Sequence, residues 1–178
     1  ARLGDAALPE GVVLERTAAD GVERVRLTAS RDLTGMASGW FWRLGARVAV
    51  RVEGDATYLG FAYTQFALPV VAGPSPEFDF NPSPGLHSPP VLGVLVARVD
   101  QRHVVLAPLD HPHEQVIAVA DGGLAWGWHG DLDEVPAGFS TTLGIYVGDT
   151  AAELLDRWGA EVRGDRPHRP REANPVVS

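Results

Sequence analysis

The chain has 178 residues, 45% of them apolar, so it can bury one sizeable core and a single domain is the default expectation. The formal charge of −8 would repel a nucleic-acid backbone, and no apolar run approaches the ~20 residues of a membrane span. We therefore expect neither nucleic acid nor membrane as a partner. Zero cysteines exclude disulfides and Cys-ligated zinc, and with no visible secretion signal they fit a cytoplasmic protein.

The first predicted element is a β-hairpin. Its strands, Val12 to Arg16 and Val22 to Thr28, flank the pair Asp20-Gly21, which supplies the positive φ that a tight turn needs. Ala37 to Val52 and Ala56 to Leu68 follow as further strands. Their period-two pattern and their aromatic and β-branched residues favour sheet over helix.

A proline-rich loop interrupts this pattern. Pro69 to Pro90 contains seven prolines, which remove the N–H groups that a strand ladder needs, so no ladder is expected there. Loops of this length inside compact domains are often functional or cover an interface. The mixed aromatic and polar residues Phe78, Asp79, Phe80 and His87 are therefore our candidates for contact with a substrate cleft or another domain.

Regular strands resume after the loop and continue nearly to the C-terminus. Turns separate them at spacings of about ten residues, which is typical of an antiparallel sandwich or barrel. The predicted strands are Val91 to Val99, His103 to Leu109, Gln115 to Ala120, Leu124 to His129 and Ala137 to Val147. We predict a mainly β fold, an antiparallel β-sandwich over residues 1–148.

One amphipathic helix is predicted over residues 149–163. Thr150 and Glu153 have the spacing of a capping box at its start. The apolar stripe predicted to pack on the sandwich contains Leu154, Leu155, Trp158 and Val162. The residues predicted to face away are Glu153, Asp156, Arg157, Glu161 and Arg163. Residues 164–178, rich in arginine and proline, are predicted to be an extended linker towards a downstream domain.

Two pairs of tryptophans alternate along predicted strands: Trp40 with Trp42, and Trp126 with Trp128. We expect them to fill the space between two sheets, because Trp is mostly buried. The alternative is a sugar-binding platform, since an indole face stacks on the C–H face of a sugar while its N–H donates.

Histidines and carboxylates give no complete metal or catalytic signature. His111, His113 and His129 could serve as zinc ligands, but a proline separates the first two in a predicted turn. The acidic loop 131–134 lacks the calcium-binding pattern. There is no G-x-S-x-G elbow and no glycine-rich phosphate loop. No catalytic residue, metal or cofactor is expected.

The segment from Leu143 to Gly159 carries a resemblance to a known family. Leu-Gly-Ile-Tyr-Val-Gly-Asp over residues 143–149, followed by Ala-Glu-Leu-Leu-Asp-Arg-Trp-Gly over residues 152–159, resembles the end of the N-terminal β-sandwich and the linker helix of multidomain glycoside hydrolases. The group it is most similar to is the α-galactosidase and raffinose-synthase-like one. The resemblance implies a supersandwich-like domain before a (β/α)8 barrel. The family's catalytic carboxylates lie on barrel strands, so none can be assigned in this chain.

The resulting functional expectation is a non-catalytic N-terminal domain of a glycoside hydrolase acting on α-linked sugars. Its expected partners are a downstream catalytic barrel, which the proline-rich loop would contact, and carbohydrate. Three alternatives stay open: a self-standing carbohydrate-binding module with exposed Trp pairs, a small metal-dependent sandwich enzyme using the three histidines, and a structural interaction domain. A homo-oligomer is compatible with each of these functions.

Overall fold

The computed structural model describes residues 2–34, 47–51, 56–61, 69–72, 94–112, 114–120, 123–128 and 134–164. These residues form a mainly β fold with one helix, which confirms the predicted fold class. The elements are β1 (Arg2–Ala7), β2 (Val12–Ala19), β3 (Val22–Ala29), β4 (Leu33–Thr34), β5 (Arg47–Arg51), β6 (Ala56–Phe61), β7 (Pro69–Ala72), β8 (Leu95–Val99), β9 (Arg102–Pro108), β10 (Gln115–Ala120), β11 (Gly123–Trp128), β12 (Glu134–Val135), β13 (Ser140–Gly148) and α1 (Ala151–Arg163).

The strands form three antiparallel sheets. The largest has seven strands in the order β2-β3-β13-β9-β8-β6-β7, and the second has four in the order β1-β5-β11-β10. A short third sheet pairs β4 with β12. Strand β13 is the last strand in the described part of the chain, yet it lies inside the large sheet and not at its edge. Because α1 follows β13, the helix starts beside the centre of that sheet.

The predicted β2–β3 hairpin is confirmed. Asp20 and Gly21 at its turn have φ values of 53° and 71°, the left-handed conformations that a tight hairpin requires. The two strands pair from Val12 opposite Ala29 to Ala19 opposite Val22. In β3, Val25 and Leu27 point into the core, whereas Arg24 and Arg26 point to the opposite face.

The main core lies between the two larger sheets. The fully buried side chains of Trp126 and Trp128 on β11 and Ile117 on β10 pack with residues of the large sheet. Those residues include Val25, Leu27, Leu95, Leu106, Leu143 and Ile145. Because one apolar cluster joins both sheets, the architecture is sandwich-like.

Helix α1 packs on the other face of the large sheet. Leu154 is buried there with Val105 and Tyr146, and Trp158 packs at the edge of this second cluster. Close approach depends on Gly148, where a Cβ atom would lie 2.9 Å from Leu154 Cδ2. The sheet is thus covered by a sheet on one face and by a helix on the other.

Both ends of the helix have capping contacts. Thr150 Oγ1 accepts a hydrogen bond from the backbone N–H of Glu153 at 3.4 Å, in line with the predicted cap. At the other end Gly164 adopts φ 55°, and its N–H donates to Ala160 O at 3.0 Å. Among the described residues, no helix has the length and apolar character needed to cross a membrane.

Four strands differ from the sequence-based prediction, and two of them are the short strands β4 and β12, which were not predicted. β7 begins at Pro69, inside the segment where no ladder was expected. Its position at the sheet edge explains this, because a proline as the first residue of an edge strand removes no ladder bond. β1 was not predicted at all, since Arg2–Ala7 carries little apolar alternation. Strands β5 and β6 fall within the longer strands predicted there, and the rest of those predicted strands lies outside the described residues.

Candidate functional site

A polar cluster lies beneath the C-terminal half of α1. Tyr146 Oη donates to Glu161 Oε2 at 2.9 Å, and Arg24 Nε donates to Glu161 Oε1 at 2.7 Å. The three residues come from β13, α1 and β3, and we refer to them as the Glu161 cluster. The prediction that Glu161 faces away from the sandwich was wrong. Glu161 follows Trp158 by three residues, so both lie on the same helix face.

Gly144 makes this cluster possible. A Cβ atom at Gly144 would lie 2.7 Å from Tyr146 Cε2 and 3.0 Å from Tyr146 Oη, so the phenol ring lies directly over the glycine. The Tyr146 ring therefore lies along β13 instead of projecting perpendicular to the sheet. In this position its hydroxyl reaches the carboxylate of Glu161. Gly144 is paired with Arg24 across the sheet, which brings the guanidinium to the same carboxylate.

The electrostatics of the cluster favour one set of protonation states. Burial, and then the hydrogen bond to Glu161, raise the pKa of Tyr146 above its ordinary value. The hydrogen bond to Glu161 likewise raises the pKa of Arg24. At neutral pH a neutral phenol and a charged guanidinium therefore share one carboxylate. This arrangement is suited to holding the helix on the sheet.

Two further hydrogen bonds fix α1 on either side of β13. Arg157 Nη2 donates to the carbonyl of Asp20 in the β2–β3 turn at 2.7 Å. Trp158 Nε1 donates to the carbonyl of Pro108 at the end of β9 at 2.9 Å. Arg157 was also predicted to face away, and its long side chain instead reaches back to the hairpin. The helix is thus bonded to strands β3, β9 and β13 and to the β2–β3 turn of the large sheet.

A second network shapes the loop between β9 and β10. Asp110 accepts from the backbone N–H and from Oγ1 of Thr142, both at 2.7 Å. Gln115 Nε2 donates to the carbonyls of Asp110 and His111, and its Oε1 accepts from Trp126 Nε1 at 2.9 Å. Gln115 is only 1% exposed, so it is a buried connection between this loop and the core. In the sequence, the feature that could have indicated this role is that Gln115 is a polar residue directly before an apolar run.

His111 is presented to solvent by this loop. Its backbone has φ 38°, which is uncommon for a residue other than glycine. The imidazole lies against the ring of Phe139 at a centroid distance of 5.3 Å, and Phe139 in turn packs edge-on against Trp128 at 5.6 Å. An exposed histidine is thus supported by the aromatic core.

The tryptophans predicted as a possible sugar platform are in the core. Trp126 and Trp128 are both 0% exposed, and their N–H groups donate to Gln115 Oε1 and to Thr141 Oγ1. Sugar stacking needs an accessible indole face, so this interpretation is corrected in favour of the expected packing between the sheets. The other pair, Trp40 and Trp42, lies outside the described residues.

The remaining predicted site residues are not brought together by the described structure. Phe78, Asp79, Phe80 and His87 lie outside the described residues, so their proposed contact with a cleft or domain stays a prediction. His113 and His129 lie outside them as well. Within the described ranges, no group of three or more His, Asp or Glu side chains is arranged to hold a metal ion.

Comparison with known proteins gives no relative for this chain. No family model matches it, and neither does any curated protein or solved structure. A functional assignment therefore depends on the junction between β13 and α1 and on the contacts that fix the helix.

Proposed function

We propose that this chain is a non-catalytic β-sandwich domain of a glycoside hydrolase acting on α-linked sugars. In that enzyme it packs on a downstream (β/α)8 catalytic barrel and borders the cleft. The observation that carries the proposal is the junction between β13 and α1, the segment whose residues resemble the sandwich-to-helix junction of the α-galactosidase and raffinose-synthase-like group.

The glycines and the tryptophan of that junction have identifiable structural roles. Gly144 leaves space for the Tyr146 ring, and Gly148 leaves space for Leu154. Trp158 closes the second apolar cluster and donates to the backbone of β9. The motif therefore corresponds to a docked helix that leaves the large sheet in a defined direction. Such a helix suits a domain that must present the chain to a downstream domain in a fixed orientation.

The polar side chains described above support a structural role. Glu161, Asp110 and Gln115 each accept or donate two or more hydrogen bonds that join separate elements of the fold. A catalytic acid or base needs an accessible face and a proton to exchange with substrate. The carboxylates of Glu161 and Asp110 instead bind groups that hold α1 and the β9–β10 loop.

The test compares the natural gene product with the 178-residue chain. Both proteins are assayed at equal concentration for sugar release from an aryl α-galactoside and from raffinose. We expect hydrolysis or transfer by the natural gene product and none by the 178-residue chain. Activity of the 178-residue chain alone, or a natural gene product without a further domain, would contradict the proposal.

A further inference from the structure

We infer that Asp20 in the β2–β3 turn is a site of isoaspartate formation, and that the docked helix α1 controls the rate of this reaction through Arg157. Isoaspartate forms when the backbone nitrogen of the next residue attacks the side-chain carbonyl carbon of an aspartate. Asp20 is followed by Gly21, which has no side chain to hinder the ring closure, and both residues are exposed. This modification is independent of the proposed function.

The reaction needs only this chain and water. The Gly21 nitrogen forms a bond to Asp20 Cγ, and the hydroxyl of the protonated Asp20 carboxyl leaves together with the amide proton as water. The product is a cyclic succinimide. Water then opens the ring at one of its two bonds to the Gly21 nitrogen. Cleavage of the bond to Cγ restores aspartate, whereas cleavage of the bond to the former backbone carbonyl leaves isoaspartate, in which the chain continues through Cγ.

The closed turn holds the two reacting atoms apart. Asp20 and Gly21 form a two-residue turn closed by the pairing of Ala19 with Val22, and their φ values of 53° and 71° identify it as type I′. In this turn type ψ of the first residue is about +30°, which puts Asp20 Cβ and the Gly21 nitrogen on nearly opposite sides of the Cα–C bond. Ring closure requires these two atoms to be eclipsed. The ψ angle of Asp20 must therefore rotate, and the turn must open, before the reaction can occur.

Arg157 on α1 holds the group that this rotation moves. Its Nη2 donates to the carbonyl oxygen of Asp20 at 2.7 Å. That carbonyl belongs to the peptide unit between Asp20 and Gly21, so rotation of ψ at Asp20 displaces the acceptor and breaks the bond. Trp158 and Glu161 bind the helix to β9, β3 and β13, which keeps Arg157 beside the turn. The closed turn and the docked helix therefore stabilise each other.

The modified residue does not fit the same turn. Isoaspartate adds one carbon to the backbone between Ala19 and Gly21, whereas the pairing of a two-residue hairpin depends on the length of its loop. The former carbonyl of Asp20 also becomes a free carboxylate, so the acceptor of the Arg157 bond leaves the backbone. Isoaspartate thus weakens the contact that slowed its formation.

Ageing of the purified protein tests the inference. The 178-residue chain and its Arg157→Gln variant are incubated at neutral pH and digested with trypsin. The aspartate and isoaspartate forms of the peptide Thr17–Arg24 are then separated by liquid chromatography and identified by mass spectrometry. We expect isoaspartate to form in the parent and to form about fivefold faster in Arg157→Gln, because loss of one hydrogen bond lets the turn open more often. Arg163→Gln, in the last turn of the same helix, is the matched control and should age at the rate of the parent.

Two results would overturn the inference. One is equal rates in the parent and in Arg157→Gln, since α1 would then not control the turn. The other is an unmodified Asp20 in Arg157→Gln under conditions that convert a synthetic Thr17–Arg24 peptide.

A second variant covers the case in which circular dichroism shows that Arg157→Gln is unfolded. Asp20→Asn also suits a type I′ turn, and its ring closure releases ammonia, so the product is detected by its mass. We expect deamidation to be slower in the folded Asp20→Asn chain than in the matching synthetic peptide. Equal rates would contradict the control of the turn by the folded structure.

Discussion

The hydroxyl of Tyr146 donates to Glu161 Oε2 at 2.9 Å, and this bond joins strand β13 to the last turns of the helix that follows it. The same carboxylate binds Arg24 of β3 at 2.7 Å. One side chain thus connects two adjacent strands to α1. The stability of the docked helix should therefore respond to each member of the Glu161 cluster.

Tyr146→Phe and Glu161→Ala are expected to be coupled. Tyr146→Phe removes one buried hydrogen bond and should lower the free energy of unfolding by about 1 kcal/mol. Glu161→Ala leaves the buried hydroxyl of Tyr146 without its partner and should cost about 1–3 kcal/mol. Urea unfolding of both single variants and the double variant measures the coupling, which we expect to be about 1 kcal/mol. Strictly additive effects would mean that the bond does not form in solution.

The raised pKa of Tyr146 predicts a loss of stability at alkaline pH. The folded-state pKa lies above the unfolded value of 10.0, so the contribution of the neutral phenol is fully present below pH 10. Above that pH the unfolded state ionises first, and the contribution is lost as the pH rises towards the folded-state pKa. The difference in unfolding free energy between the parent and Tyr146→Phe should therefore shrink progressively as the pH rises above the unfolded value of 10.0. A difference that is constant with pH would contradict this.

Gly144→Ala should destabilise the domain, because its Cβ would lie 2.7 Å from the Tyr146 ring. Overpacking of this kind costs about 1–3 kcal/mol. Gly159→Ala is the matched control, since a Cβ there meets no heavy atom within 4 Å apart from the adjacent backbone of its own helix, and the residue lies inside α1. Ala is the better helix former, so the control should gain about 0.5–1 kcal/mol. Thermal and urea unfolding would measure both changes, and equal effects would show that the Tyr146 ring does not lie over Gly144.

Gln115→Leu should be one of the costlier polar substitutions in the domain. It removes the acceptor of the buried Trp126 N–H and the donor to the carbonyls of Asp110 and His111. Leaving such groups unpaired costs about 1–3 kcal/mol, and the indole emission should change with it. Gln101→Leu at the exposed turn between β8 and β9 is the control, with an expected effect within about 0.5 kcal/mol. A similar cost for both variants would argue against the Gln115 network.

Much of the fold could be predicted because its signals are local. The pair Asp20-Gly21 specified a tight turn, Thr150 a helix start, and the period-two patterns of β3 and β13 a sheet. Each signal depends on the φ preference, capping or side-chain alternation of residues that are neighbours in sequence. Such preferences act whatever the rest of the chain does.

The candidate site could not be predicted in the same way. Arg24 and Glu161 are 137 positions apart in the sequence, and neither residue type indicates the other. The apolar pattern of α1 is equally compatible with a Glu161 that faces solvent. The alternation of Trp126 and Trp128 along a strand is likewise compatible with a buried core and with an exposed platform. The insertion of β13 between β3 and β9 decided the case of Glu161, and the packing of the sheet that contains β11 against the large sheet decided the case of the two tryptophans.

Sequence by itself thus determined the class of the fold, the hairpin and the limits of the helix, because turn and periodicity energies are set within a few residues. Tertiary structure alone decided which face of α1 meets the sheet and which indoles are buried. Those outcomes depend on the pairing of strands that are distant in the chain, and their energies come from packing and hydrogen bonds formed only after the sheets assemble.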